Sequence, residues 1–194
     1  MKRKIVFATN NAHKLEEVAA ILGDGYEVLS LREIGCDADI PETADTFAGN
    51  ALQKAQYVKQ HYGYDCFADD SGLEVDALNG APGVYSARWA GEPANDARNR
   101  QKALSMLAGI AQREARFRTV ITWIDAHGTQ QVEGIVNGHM ATEESGDGGF
   151  GYDALFIPEG YDATFACLPA EAKNSISHRA RALQALREIV LVNI

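Results

Sequence analysis

The apolar positions change period repeatedly along the chain, and each change marks an element. Lys4 to Thr9 (KIVFAT) holds a short apolar run, the pattern of a strand covered on both faces. Asn10 and Asn11 offer caps for a helix running to about Gly23, with Leu15, Val18, Ala19 and Leu22 as its stripe. A short strand near Tyr26 to Ser30 precedes an acidic, loop-like stretch from Arg32 to Asp45. A second helix is predicted from Thr46 to about Tyr62, with Phe47, Ala51, Ala55 and Val58 on one face. Asp65–Ala68 and Leu73–Ala77 read as strands around a turn, DDSG, since Asp, Ser and Gly favour turns. Asn95 to Gly109 has the pattern of a helix. The clearest strand signal follows, where Phe117, Thr119, Ile121 and Trp123 alternate with Arg118, Val120, Thr122 and Ile124. A His-Gly turn returns the chain along Val132–Met140. A glycine-rich loop, a short strand Ala154–Ile157 and a last helix from about Ser177 to Val190 complete it. This mixture predicts an α/β fold with a mixed sheet in a single domain, residues 1–194.

Composition narrows the class. Of the 194 residues, 46% are hydrophobic, enough for a packed core. A net charge of -9 disfavours binding to DNA or RNA polymers, although clustered cations can still hold a small anion. Cys36, Cys66 and Cys167 are odd in number and widely spaced, which excludes a disulfide framework and a thiolate zinc site; small buried hydrophobes are expected. The N-terminal apolar run is too short for a signal peptide, and no run approaches the ~20 apolar residues of a membrane span. A cytoplasmic protein with no membrane partner is therefore expected.

Five segments carry candidate chemistry. TNNAHK (Thr9, Asn10, Asn11, Ala12, His13, Lys14) passes from strand to helix, and helix N-termini bind phosphate through backbone N–H groups and the dipole. A capped helix with a surface lysine has the same local pattern. In DDSG, Asp69 and Asp70 offer hard oxygens to Mg²⁺ or a base to water, and Ser71 a donor to phosphate. Glu42 and Asp45 upstream are further possible ligands. Lys54 shares a helix face with Asn50. GDGGFGYD (Gly146 to Asp153) is formally G-x-G-x-x-G, but it leads into a strand and opens no helix, so it is not a dinucleotide fingerprint. It reads as a flexible loop presenting Phe150 and Tyr152, where an aromatic stacked on a base contributes roughly 1–3 kcal/mol. Lys173, His178 and Arg179 crowd the start of the last helix, suited to an anionic or carbonyl-bearing ligand.

Taken in order, T-x-N-x-x-K, PETADTF-x-x-NA-x-x-KA, ADDSGL-x-V, GAPGVYSAR, GGFGYD and SHR resemble the inosine triphosphate pyrophosphatase family, from Thr9 to Arg179. The resemblance implies an elongated mixed sheet flanked by helices, two lobes with an active-site cleft between them, and a homodimer. It implies Mg²⁺-dependent hydrolysis of ITP, dITP and XTP to monophosphate and pyrophosphate. Asp70 would be the general base or a metal-bound carboxylate, with Glu42 and Asp69 around the metal. Thr9, Asn11, Lys14, Lys54, Ser71 and Lys173 would hold the triphosphate or sugar. Phe150, Gly151, Tyr152 and Asp153, with His178 and Arg179, would form the base pocket. Gly49, Ala154 and Trp89 depart from residues common in relatives. The alternatives are a related enzyme for modified or pyrimidine triphosphates, and a nucleotide sensor without turnover.

Overall fold

A computed structural model describes residues 1–192. Its strands are β1 (Arg3–Phe7), β2 (Tyr26–Leu29), β3 (Cys66–Val75), β4 (Glu114–Asp125), β5 (Gly128–Met140) and β6 (Phe156–Pro158). Its α-helices are α1 (Ala12–Leu22), α2 (Phe47–Tyr62), α3 (Asp96–Met106), α4 (Ala170–Ile176) and α5 (His178–Val192). The strands form one six-stranded sheet in the order β2-β1-β3-β4-β5-β6. β1 runs parallel to both β2 and β3, with Phe7 opposite Phe67, while β5 and β6 are antiparallel. The sheet is therefore mixed, and the class is α/β.

The helix boundaries follow from local chemistry. Asn11 caps α1 by accepting from the Lys14 amide at 3.2 Å. Thr46 caps α2 through the Gly49 amide at 3.0 Å, and Gly63 ends it in the left-handed conformation, φ 77°. Asn95 caps α3 in the same way.

Three expectations need correction. DDSG is no turn, because β3 runs unbroken through Asp69, Asp70, Ser71 and Gly72. Strand neighbours there supply backbone partners that override the turn preference of those residue types. The expected last helix is preceded by a separate one, so Lys173 lies on α4. Ser177 breaks the path in extended geometry, and its hydroxyl caps α5 at the Ala180 amide. Finally, Cys36 and Cys66 are buried but Cys167 is exposed. Burial pushes the Cys66 thiol up to about 12, whereas hydrogen bonds from Ser145 and Thr164 lower that of Cys167.

The chain divides into two compact units. One comprises residues from Met1 to Asp70, Thr119 to Glu133, and from Arg181 onward. Its core packs Ile5, Phe7, Phe67, Ile121 and Trp123 against Leu183 and Leu186 of α5. The Phe7 and Phe67 rings stack at 4.4 Å. Each such side chain, fully buried, contributes roughly 1.5–3 kcal/mol. A second cluster sets Ala55 and Val58 of α2 on Val6 and Ala68. Here β4 is buried on both faces, so its alternation ends at Thr119.

The other unit comprises Ser71–Arg118 and Gly134–Ala180. Leu73, Val75, Ala103, Leu107, Phe117, Phe156 and Phe165 form its core. Phe117 meets Phe156 edge-on at 4.7 Å. Arg113 closes the end of this core by donating to the carbonyls of Leu107, Met140 and Ala141.

The β5–β6 pairing depends on a glycine. A Cβ on Gly138 would lie 2.2 Å from the Ile157 carbonyl oxygen and 2.7 Å from the Phe156 ring. Backbone cannot yield that distance cheaply. Gly138→Ala should therefore lower the unfolding free energy in urea by about 1–3 kcal/mol, as overpacking does. Gly25→Ala, with open space at its Cβ, is the control and should stay within about 0.5 kcal/mol. Equal effects at both positions would remove the steric explanation.

Candidate active site

Two constellations hold the candidate residues, one in each unit. In the first, α1 starts at Ala12, four residues after the buried Ile5–Ala8 run ends. Its N-terminal amides at Ala12 and His13 have no acceptor within the helix, and both residues are exposed. Thr9 Oγ1 accepts from the Asn11 amide at 3.2 Å and shapes the entry to the helix. Lys14, in the first turn, reaches Asp69 and donates to both carboxylate oxygens, at 2.9 and 3.1 Å. Asp69 is 3% exposed, so this ion pair offsets the cost of burying its charge.

Lys54, from α2, lies on the same point. Its ammonium donates to the Asp69 carbonyl at 2.5 Å and pairs with Glu42 at 2.7 Å. Asp70 follows Asp69 along β3 and therefore projects from the opposite face. It is half-buried, and its carboxylate accepts from Asn50 Nδ2 at 3.1 Å. Asn50 is buried, and its own oxygen accepts from the Ala44 amide at 2.9 Å, which ties the acidic loop to α2. Sequence reading had Asn50 only as a neighbour of Lys54; the Asn50–Asp70 link spans 20 residues and leaves no local signature.

Glu42, Asp69 and Asp70 were expected around one metal. Among the described residues, no three His, Cys, Asp or Glu side chains form a group that could hold an ion. Both Asp69 oxygens face Lys14, which reassigns Asp69 from ligand to brace. The remaining donors still suit Mg²⁺, which takes hard oxygens and is usually held by one or two carboxylates together with substrate phosphates. Asp70 and Glu42 are such donors. The Asn10 side-chain oxygen accepts from the Arg32 amide at 2.8 Å, fastening a loop.

The second constellation lies on the glycine-rich loop. Phe150 is 66% exposed, so it does not anchor the loop to the core. Asp153 is buried, and one of its oxygens takes both the Phe150 amide at 3.0 Å and the Lys173 ammonium at 2.5 Å. Lys173 stands 4.7 Å from the centre of the Phe150 ring. Gly149 is obligatory here: its φ is +69°, and a Cβ would meet Asp153 Oδ2 at 2.1 Å. The half-buried His178 stacks on Phe117 at 5.0 Å, and Arg179 follows it in the first turn of α5.

Tyr152 was expected to face a base with Phe150. It is instead buried, its hydroxyl donating to the Ser86 carbonyl at 2.6 Å, and burial holds the phenol well above its ordinary pKa. Two residues apart, they would share a face in an extended strand; the turn at Gly151, φ 59°, between them sends the rings to opposite sides. Sequence reading missed Asp96, Arg100 and Glu144, which hold Gly151. Asp96 and Arg100 stand one turn apart on α3, but their partner lies 55 and 51 residues away.

These features define an α/β protein in which a helix N-terminus and two lysines converge on Asp69 of β3, with a second carboxylate, Asp70, beside it. The sequence profile of the Ham1 family matches residues 5–189, and the chain belongs to that family. A dITP/XTP pyrophosphatase from Porphyromonas gingivalis is 55% identical over 189 residues, 97% of each chain. The Bacillus subtilis dITP/XTP pyrophosphatase is 46% identical, again over 97% of each. The Ham1 protein of Staphylococcus aureus superimposes with a TM-score of 0.95 at 39% identity, covering 99% of this chain and 100% of that one.

The two lysines should be separable. Each charge-assisted contact to a phosphate contributes about 1.5–3 kcal/mol, so Lys14→Ala and Lys54→Ala should each weaken nucleoside triphosphate binding at least tenfold by calorimetry. The losses should shrink at high salt. Lys14→Ala should also lower the melting temperature, because it strands the buried Asp69, whereas Lys54→Ala should lower it less, because the carboxylate it leaves, Glu42, is 38% exposed and can be solvated. Unchanged affinity in both variants would make them purely structural.

Proposed function

We propose that this chain hydrolyses dITP, XTP and ITP to the monophosphate and pyrophosphate; its relatives carry the name dITP/XTP pyrophosphatase. The observation that carries the reading is the pair Asp69 and Asp70 on opposite faces of β3, one braced by Lys14 and the other held by Asn50. A polyanion binder gains nothing from adjacent carboxylates; a hydrolase needs one to activate water. Asp70 takes the proton from water, which attacks the α-phosphorus and expels pyrophosphate. Lys14, Lys54 and the α1 amides bind the phosphates. Asp70 and Glu42 are the residues that would hold Mg²⁺, which when bound neutralises phosphate charge and lowers the pKa of water.

Phe150 takes the face of the base, and Lys173, Ser71 and Thr9 the sugar or phosphates. His178 and Arg179 donate to the 6-keto oxygen. Against the 6-amino group of ATP such donors are left unpaired, at roughly 1–3 kcal/mol each. Two or three mismatches give discrimination of about 10⁴. Cytoplasmic location, a homodimer and the absence of any nucleic-acid or membrane partner belong to the same proposal. The net charge supports the exclusion of polymers. Among the described residues no helix is long and apolar enough to cross a membrane.

The test is a panel of ITP, dITP, XTP, ATP, GTP and CTP with Mg²⁺, run in ¹⁸O-labelled water. The three deaminated purines should yield pyrophosphate, with the label in the monophosphate. Chelation of Mg²⁺ should abolish turnover, and adding it back should restore it. Orthophosphate as first product, or equal rates on ATP, would overturn the assignment.

A further inference from the structure

We infer that α3 sets the affinity of this chain for the base by holding the loop that carries Phe150. Asp96, in the first turn of α3, accepts from the Gly151 amide at 2.9 Å. Arg100, one turn further on, donates to the Gly151 carbonyl at 2.9 Å. Glu144 pairs with the Arg100 guanidinium and aims it. Asp96 and Arg100 thus grip the two peptide groups that flank Gly151, one as acceptor and one as donor.

The grip completes a set. The Phe150 amide is bound by Asp153, and the Phe150 carbonyl accepts from the Asp153 amide at 3.1 Å. With Gly151 fixed as well, polar groups on both sides of Phe150 are tied down, while its ring is 66% exposed. An unsupported loop with glycines at 146, 148, 149 and 151 would sample many conformations, because glycine loses the most freedom on ordering. A large apolar ring held rigidly in solvent is unfavourable for folding alone and is suited to receiving a flat ligand. Asp96, Arg100 and Glu144 touch no substrate atom in this assignment; they are positioning residues that act through Phe150. The inference rests on the reading of Phe150 as the residue that meets the base.

The test is a double-mutant cycle between Arg100→Ala and Phe150→Ala, with KM and kcat measured on ITP and inhibition measured with inorganic tripolyphosphate. Phe150→Ala should raise KM for ITP roughly tenfold, the loss of a base–aromatic stack. Arg100→Ala should raise it by about three- to tenfold, part of the same stack, with kcat within about twofold. Tripolyphosphate inhibition should be unchanged in both. In the Phe150→Ala background, Arg100→Ala should have no further effect on KM, because effects routed through one side chain are not additive. Asp96→Asn, which keeps an acceptor for the Gly151 amide, should recover most of the loss seen in Asp96→Ala. If Phe150→Ala leaves KM unchanged, the base-facing role of Phe150 fails and the inference falls with it. If Phe150→Ala raises KM but the Arg100 effect is absent, adds in full, or extends equally to tripolyphosphate, the role of α3 fails while that of Phe150 stands.

Discussion

Burying a carboxylate is costly unless a cation and hydrogen bonds accompany it into the protein, and at Asp69 that requirement organises the first constellation. Its side chain is 4% exposed and that of Lys14 23%. The pair therefore fixes the first turn of α1 against β3. Lys54 adds a bond to the Asp69 carbonyl, which brings α2 to the same residue. Two helices and a strand thus converge on one residue. The period-2 alternation of β3 then places Asp70 on the other face, where Asn50 meets it. Two identical side chains, adjacent in sequence, thus take different partners: Asp69 pairs with Lys14, and Asp70 is met by Asn50.

The second constellation obeys the same rule with another carboxylate. Asp153 is buried, and it is satisfied by Lys173 and by the Phe150 amide. That arrangement leaves no room for a side chain at Gly149, and it delivers the Lys173 ammonium to the edge of an exposed aromatic ring. In both units a lysine serves a buried acid, and in the proposed function the same lysine receives the anionic ligand. Such a lysine is held ready by the fold, so little ordering is left to be done on binding.

Periodicity made most of the elements legible. The stripe of Leu15, Val18 and Leu22 with the cap Asn11, the helix start at Thr46, and the alternation before Thr119 correspond to α1, α2 and β4. Reading failed where tertiary partners overrode local preference. DDSG has turn composition, yet sheet neighbours pull it into β3; the segment before Ser177 is assigned no helix of its own by its pattern, yet it forms α4. At the sites, side-chain type was legible and role was not. Asp69, Lys14 and Tyr152 were all singled out, but the pairing of Lys14 with Asp69 spans 55 residues, and that of Tyr152 with Ser86 spans 66. No local pattern encodes such separations. Arg100 and Asp96 had no visible signal at all for the same reason.

The division of labour along β3 is tested most directly by comparing Asp69→Asn with Asp70→Asn for both kcat on ITP and free energy of unfolding. Asp70→Asn can keep an oxygen toward Asn50, so it should fold with near-unchanged stability and lose kcat by at least about 10², the scale of a general base. Asp69→Asn should be the less stable protein by about 1–3 kcal/mol, having lost the charge that Lys14 compensates. Near wild-type turnover in Asp70→Asn, or a stability loss there as large as in Asp69→Asn, would contradict the assignment of base and brace.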